Sequence, residues 1–240
     1  MKAYGVSDIG KNRKINEDFY YLPQVSEHFA AVADGMGGHA AGEVASFMAI
    51  RELSRFLRKS PTCSEARMKS AFEAANSVVN SASVRNAERT GMGTTMTAVW
   101  VSGNVCYMGH VGDSRAYRLR DGKLEQMSVD HSYVEELVRG GIITREQARS
   151  HPKRNIITRC IGVYDTIDPQ VLRLDWREAD VWLLASDGLV GYVTDEEIET
   201  VLLEEGMDMP QKLNTFKQMA LDRGGADNVT VVALCGGGDA

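Results

Sequence analysis

Residues 94–127 read TTMTAVWV-SGN-VCYMGHV-GDS-RAYRLR-DG-KLEQM. Short runs rich in β-branched and aromatic residues alternate with turn chemistry. Thr94–Val101 and Val105–His110 flank Ser102-Gly103-Asn104, and Ser114–Arg120 and Lys123–Met127 flank Asp121-Gly122, a strong hairpin signal. The pattern predicts an antiparallel meander. Upstream, the apolar run Phe29–Ala33 stops at Asp34-Gly35, and downstream Val181–Ala185 and Asn228–Leu234 have the same short apolar character.

Helical periodicity fills the intervals. One helix is expected over Gly42–Arg58, with Val44, Phe47, Met48 and Leu53 on one side. A second is expected over Glu65–Ala87, with Met68, Phe72, Ala75, Val79 and Ala82 at helical spacing. Thr194-x-x-Glu197 reads as a capping box opening another helix, and Pro210–Arg223 as a further helix ended by Gly224-Gly225. Hairpin strands with helices grouped in pairs indicate an α+β layered fold. Residues 130–162 are polar, with one capping box at Thr144-x-x-Gln147, and read as a surface subdomain.

The chain has 240 residues, enough to bury a sizeable core, and one continuous domain over 1–240 is the simplest reading. A net charge of −6 argues against nucleic acid as a partner. No apolar stretch is long enough to span a bilayer and no signal peptide is legible, so a cytoplasmic location without membrane attachment is expected. Cys63, Cys106, Cys160 and Cys235 have neither C-x-x-C nor zinc spacing and read as reduced thiols.

Acidic residues recur at strand edges. Asp18 closes Asn16-Glu17-Asp18, Asp34 ends an apolar run, Asp187 follows Leu183-Leu184-Ala185-Ser186, and Asp227 precedes Asn228-Val229-Thr230. Such edges meeting at one end of a sheet would crowd like charges that need a cation. Oxygen donors without cysteine or histidine pairing favour magnesium or manganese over zinc. Singly, each motif is bland, since Asp-Gly is usually a turn. The glycines around Gly37-Gly38 lack both the G-x-G-x-x-G spacing and the lysine of a nucleotide loop.

The ordered set is far more specific. It comprises Gly5-x-x-Asp8-x-Gly10, Arg13-x-x-Asn16-Glu17-Asp18, Asp34-Gly35-Met36-Gly37-Gly38-His39, Gly91-Met92-Gly93-Thr94-Thr95, Gly112-Asp113-Ser114-Arg115, Asp187-Gly188 and Asp227-Asn228-Val229-Thr230. Along nearly the whole chain it resembles the metal-dependent protein phosphatases, the type 2C serine/threonine family. The similarity is greatest to the compact bacterial members that oppose Hanks-type kinases.

The resemblance implies a four-layer αββα fold. A central antiparallel β-sandwich is flanked by pairs of antiparallel helices, with a flap over about 131–160. It implies a hydrolase acting on phosphoserine and phosphothreonine through direct attack by a water or hydroxide bridging two Mn2+ or Mg2+ ions, with a third ion expected. Asp34 would bridge the core ions with the Gly35 carbonyl beside it. Asp187 and Asp227 would complete the first ion, and Glu17 and Asp18 would serve the second. Asp113 with Asp187 would hold the third. Arg13 would bind substrate phosphate, and His39 would stand in the place of a general acid, in competition with a third-ion water. In the flap, His131, Arg154 and Arg159 are candidate substrate contacts. Implied partners are phosphoprotein substrates and a cognate Hanks-type kinase, with the enzyme itself a monomer. Two alternatives stand beside this reading. One is an inactive binding module of the same fold, disfavoured because Asp18, Asp34, Asp187 and Asp227 are all present. The other is a two-metal nuclease, disfavoured by the acidic balance.

Overall fold

The computed structural model describes residues 1–25, 27–37 and 41–236. His39 and its neighbours Gly38 and Ala40 lie outside the described residues.

Two antiparallel sheets form the centre. The first contains β1 (Lys2–Asp8), β7 (Arg115–Arg120), β8 (Lys123–Gln126), β10 (Val181–Ala185) and β11 (Val229–Cys235), in the order β1-β11-β10-β7-β8. The second contains β2 (Asp18–Tyr21), β3 (Phe29–Met36), β5 (Met96–Ser102), β6 (Val105–Val111) and β9 (Gln170–Asp175) in chain order, with the two-residue β4 (Gly93–Thr94) paired to β3. Helices α1 (Gly42–Leu57) and α2 (Glu65–Arg85) cover the second sheet. The short α5 (Asp187–Val190), α6 (Asp195–Leu203) and α7 (Met209–Asp222) cover the first. The result is the four-layer αββα arrangement.

Alternation along each strand explains why the central runs are apolar throughout. Ala30 and Val32 of β3 face the other sheet, where Trp182 and Leu184 of β10 and Val232 and Leu234 of β11 meet them. Phe29, Ala31 and Ala33 face α1 and α2. Leu183, Ala185, Val229, Val231 and Ala233 face α5 to α7. A strand covered on both faces has no solvent side to carry polar residues.

The expected meander is corrected. β5 pairs with β6 and β7 pairs with β8, but the chain changes sheets between β6 and β7. β6 takes β9 as its other neighbour and β7 takes β10. Gly112, at φ 114°, makes that crossing, in a backbone region that side chains disfavour. The strand expected over Thr94–Val101 is broken at Thr95. The buried face of α1 meets expectation only in part. It is Ala45, Ala49, Ile50, Leu53 and Leu57, while Phe47 is 42% exposed and packs edge-on against Phe19. Leu53 is buried as expected, and Val44 and Met48 pack partly buried against the same core, so of the four residues expected on one side only Phe47 turns largely to solvent. On α2, Met68, Phe72, Ala75 and Val79 are buried as expected, and the capping boxes at Thr144 and Thr194 are both formed. Asp208 with Gln211 forms another, opening α7.

Residues 131–160 leave β8 and carry α3 (Tyr133–Arg139) and α4 (Arg145–Arg149). No helix among the described residues is long and apolar enough to cross a membrane.

Candidate metal centre

Antiparallel pairing gathers the acids. Asp18 opens β2 and lies opposite Asp34 in β3. The start of β5 pairs near the end of β3, and the end of β6 pairs with the start of β5, so Asp113 reaches the same end of the molecule. In the other sheet Ala185 pairs with Val231, which sets Asp187 after β10 beside Asp227 before β11. Arg13 comes in on the loop between β1 and β2. It donates to Asp227 Oδ2 at 2.8 Å and to Glu17 Oε2 at 3.3 Å. Arg13, Glu17, Asp18, Asp34, Gly35, Asp113, Asp187 and Asp227 thus converge on one region.

The backbone around them is tightly held. Thr95 N–H donates to Asp34 O at 2.9 Å, and Asp34 N–H donates to Thr95 Oγ1 at 2.9 Å. Gly35 N–H donates to Glu17 O at 3.1 Å, and a Cβ on Gly35 would stand 2.1 Å from Gly42 O, so only glycine admits that approach.

The electrostatics of the cluster are unfavourable for ionised carboxylates. Burial, then repulsion from Asp18, Asp187, Asp113 and Asp227, holds Asp34 well above the ordinary carboxylate range. Burial and then Asp187 do the same to Asp113. Asp187 is raised by burial and then by Asp227, despite a hydrogen bond with Asp34. Burial pushes Asp18 up to about 7 against hydrogen bonds from Thr230 and Ser186. Glu17 is raised by burial, with Arg13 opposing. Asp18 Oδ1 and Asp187 Oδ1 are buried without any hydrogen-bond partner. A buried, unsatisfied carboxylate oxygen is costly and calls for a cation.

Among the described residues, no group of three or more His, Cys, Asp or Glu side chains is placed so as to hold a metal ion. The fit to a metal rests instead on the donor chemistry and the orphaned oxygens. Crowded carboxylates with one arginine among them suit a hard divalent cation.

Some positioning residues escaped the sequence reading. Asn228 Oδ1 accepts Glu17 N–H at 2.8 Å, while its Nδ2 donates to Ile9 O at 2.8 Å and Ile15 O at 3.1 Å. It therefore pins the loop that carries Arg13 and Glu17. Ser186 Oγ donates to Asp18 Oδ2 at 2.8 Å and accepts Thr230 N–H at 3.0 Å. Polar residues adjoining acids at strand ends were the available signal.

The flap candidates divide. His131 is buried, and Gly112 N–H donates to its Nδ1 at 3.1 Å, so it does not face a substrate. Burial, then His110, lowers its pKa to about 3 and keeps the ring neutral. Arg159 donates to Asp168 O at 3.3 Å. Arg154 is exposed and lines a cavity of about 350 Å³ that also contains Asp113 and Asp187.

Known proteins share this sequence pattern and this fold. Residues 5–222 match the Protein phosphatase 2C family. The serine/threonine protein phosphatase PstP of Mycobacterium tuberculosis is 41% identical over 227 residues, covering 94% of this chain, which spans only 43% of that relative's length. The serine/threonine phosphatase Stp of Listeria monocytogenes is 34% identical over 241 residues, covering 98% of this chain and 95% of its own. A crystal structure of the catalytic domain of PstP in complex with 2 manganese ions superposes with a TM-score of 0.88 at 37% identity, covering 97% of this chain and 96% of that one. The ordered acids, the double sheet and these matches together make this chain a member of the protein phosphatase 2C family.

Proposed function

We propose that this chain is a metal-dependent serine/threonine protein phosphatase that hydrolyses phosphoserine and phosphothreonine monoesters in the bacterial cytoplasm, with manganese or magnesium as cofactor. The observation that carries the reading is the convergent group Asp18, Asp34, Asp113, Asp187 and Asp227, of which Asp18 and Asp113 are buried and the others half-buried, with two orphaned oxygens and Arg13 beside it.

Asp34, the Gly35 carbonyl, Asp187 and Asp227 would hold one ion, Glu17 and Asp18 a second, and Asp113 with Asp187 a third. Divalent ions bound there supply Lewis-acid polarisation of phosphoryl oxygen and a lowered pKa for water. The side chains themselves do the rest. Arg13 stays charged, raised further by its bond to Asp227, and its side chain is 44% exposed. A guanidinium held in place at the rim can donate parallel hydrogen bonds to a phosphate. Asn228 keeps Arg13 and Glu17 in register with Asp227.

A cysteine phosphoenzyme is disfavoured. Burial raises Cys63 and Cys160 to about 11 and Cys106 to about 12, so these thiols stay protonated at neutral pH. The natural substrates would be phosphoproteins made by a Hanks-type kinase, and the protein would act as a monomer. Residues 131–160 would form the flap of one catalytic domain spanning 1–240.

The test is turnover of a phosphothreonine peptide across manganese, magnesium and calcium, with chelator controls. Manganese- or magnesium-dependent release of phosphate is expected. No turnover with any of the three ions would overturn the reading.

A further inference from the structure

Residues 131–160 leave and rejoin the protein through hydrogen bonds that lead to two different carboxylate-bearing segments. At the leaving end, His131 N–H donates to Gly112 O at 2.7 Å and Gly112 N–H donates back to His131 Nδ1 at 3.1 Å. One residue thus grips Gly112 at both its N–H and its carbonyl, immediately before Asp113. At the returning end, Thr158 N–H donates to His131 O at 2.8 Å, and Ser132 bridges Ile157. Ile161 then exchanges hydrogen bonds of 3.0 and 2.8 Å with Thr94, whose Oγ1 donates to Asp34 O at 2.8 Å.

The ring of His131 cannot easily turn away. It is 9% exposed, and its centroid lies 4.9 Å from that of His110. His110 is itself fastened, since Thr97 Oγ1 lies 2.9 Å from Nδ1 and Nε2–H donates to Val129 O at 3.2 Å. Because His131 Nδ1 accepts, its proton resides on Nε2.

We propose that His131 is a positioning residue that locks the 131–160 segment to the Gly112–Asp113 turn. Its backbone holds the segment, and its Nδ1 holds the turn. The lock fixes one relative orientation of the Asp113 carboxylate and the Val134, Arg149 and Arg154 side chains that share its cavity. A cation at Asp113 and an ordered segment then favour each other, and the coupling is reciprocal. The catalytic consequence rests on the phosphatase reading; the lock is a property of the chain alone.

Three variants test it: His131→Asn, which keeps an acceptor at the δ position, His131→Gln, which displaces it, and His131→Ala, which removes it. In the metal-free chain, hydrogen exchange at the Gly112 amide and across 133–158 should rise about tenfold or more for the Gln and Ala variants, and stay within about threefold of wild type for Asn. The manganese concentration giving half-maximal peptide hydrolysis should follow the same order. If the Asn and Gln variants exchange alike, or if the Gly112 amide is as protected in both as in wild type, the lock is refuted, and that comparison stands even if the Ala variant does not fold. Wild-type protein that fails to hydrolyse the peptide would count against the phosphatase reading while leaving the exchange result valid.

Discussion

Strand β10 carries an aspartate at each end, and the two are treated in opposite ways. Asp180, just before it, is 1% exposed and accepts from Arg120 at 2.7 and 2.6 Å and from the Arg177 N–H at 2.8 Å. Every charge there has a counter-charge from the chain. Asp187, just after it, has one oxygen with no partner, and burial with its neighbour Asp227 raises its pKa. At one end arginine completes the fold; at the other the acids remain in excess. Chain-supplied neutralisation marks structure, and its lack marks a site for a cation.

The largest effect that would break this contrast concerns turnover. Asp187→Asn should lower manganese-dependent peptide hydrolysis by roughly three orders of magnitude, about 4 kcal/mol. Near wild-type turnover with metals fully bound would remove Asp187 from the site. Asp180→Asn should leave metal dependence intact but cost about 3 kcal/mol of stability, read by chemical unfolding, because Arg120 loses a buried partner.

The next effect is on pH dependence. Asp18 is held near 7 in the native chain against 3.8 for a free aspartate, so the folded state keeps a proton that the unfolded chain releases. Its contribution to metal-free stability is therefore present below about pH 4 and lost as the pH rises towards 7, on the order of 4 kcal/mol. His110 and His131, lowered to about 4 and 3, act with the opposite sign below pH 6.5. The measurement is accordingly the difference between wild type and Asp18→Asn, followed across this window. Saturating manganese should flatten it.

Two smaller effects sharpen the contrast. Arg13→Ala should raise KM roughly tenfold, about 1.4 kcal/mol, with a lesser change in kcat; an unchanged KM would contradict phosphate binding by this residue. Asp34→Asn should stabilise the metal-free chain by about 1 kcal/mol, the reverse of Asp180→Asn, because it removes a carboxyl whose ionisation burial and four neighbouring acids oppose. A loss of stability, read by chemical unfolding, would show that the Asp34 carboxyl is already compensated.

The two ends of β10 were not equally legible. Asp187 stood out because its motif has a fixed place in an ordered set. Asp180 has no such motif, and its arginine partner lies 60 residues away on β7. Other elements were missed for local reasons. β1 carries no continuous apolar run, β2 has only four residues, and β9 is exposed at alternate positions near its end. His131 reads in sequence as a candidate substrate contact because it lies in a polar surface segment. It is instead buried, with His110 of β6 packed 4.9 Å from its ring.

The amino-acid sequence alone determined the acids at strand ends, the glycine turns and the helix caps, since each depends on residues a few positions apart. Tertiary structure alone decided which sheet each strand joined, which face α1 buried, and which carboxylates were left without a counter-charge. The physical reason is that backbone hydrogen bonding is the same for every candidate strand partner, and the cost of a buried charge is set by groups that only folding brings near.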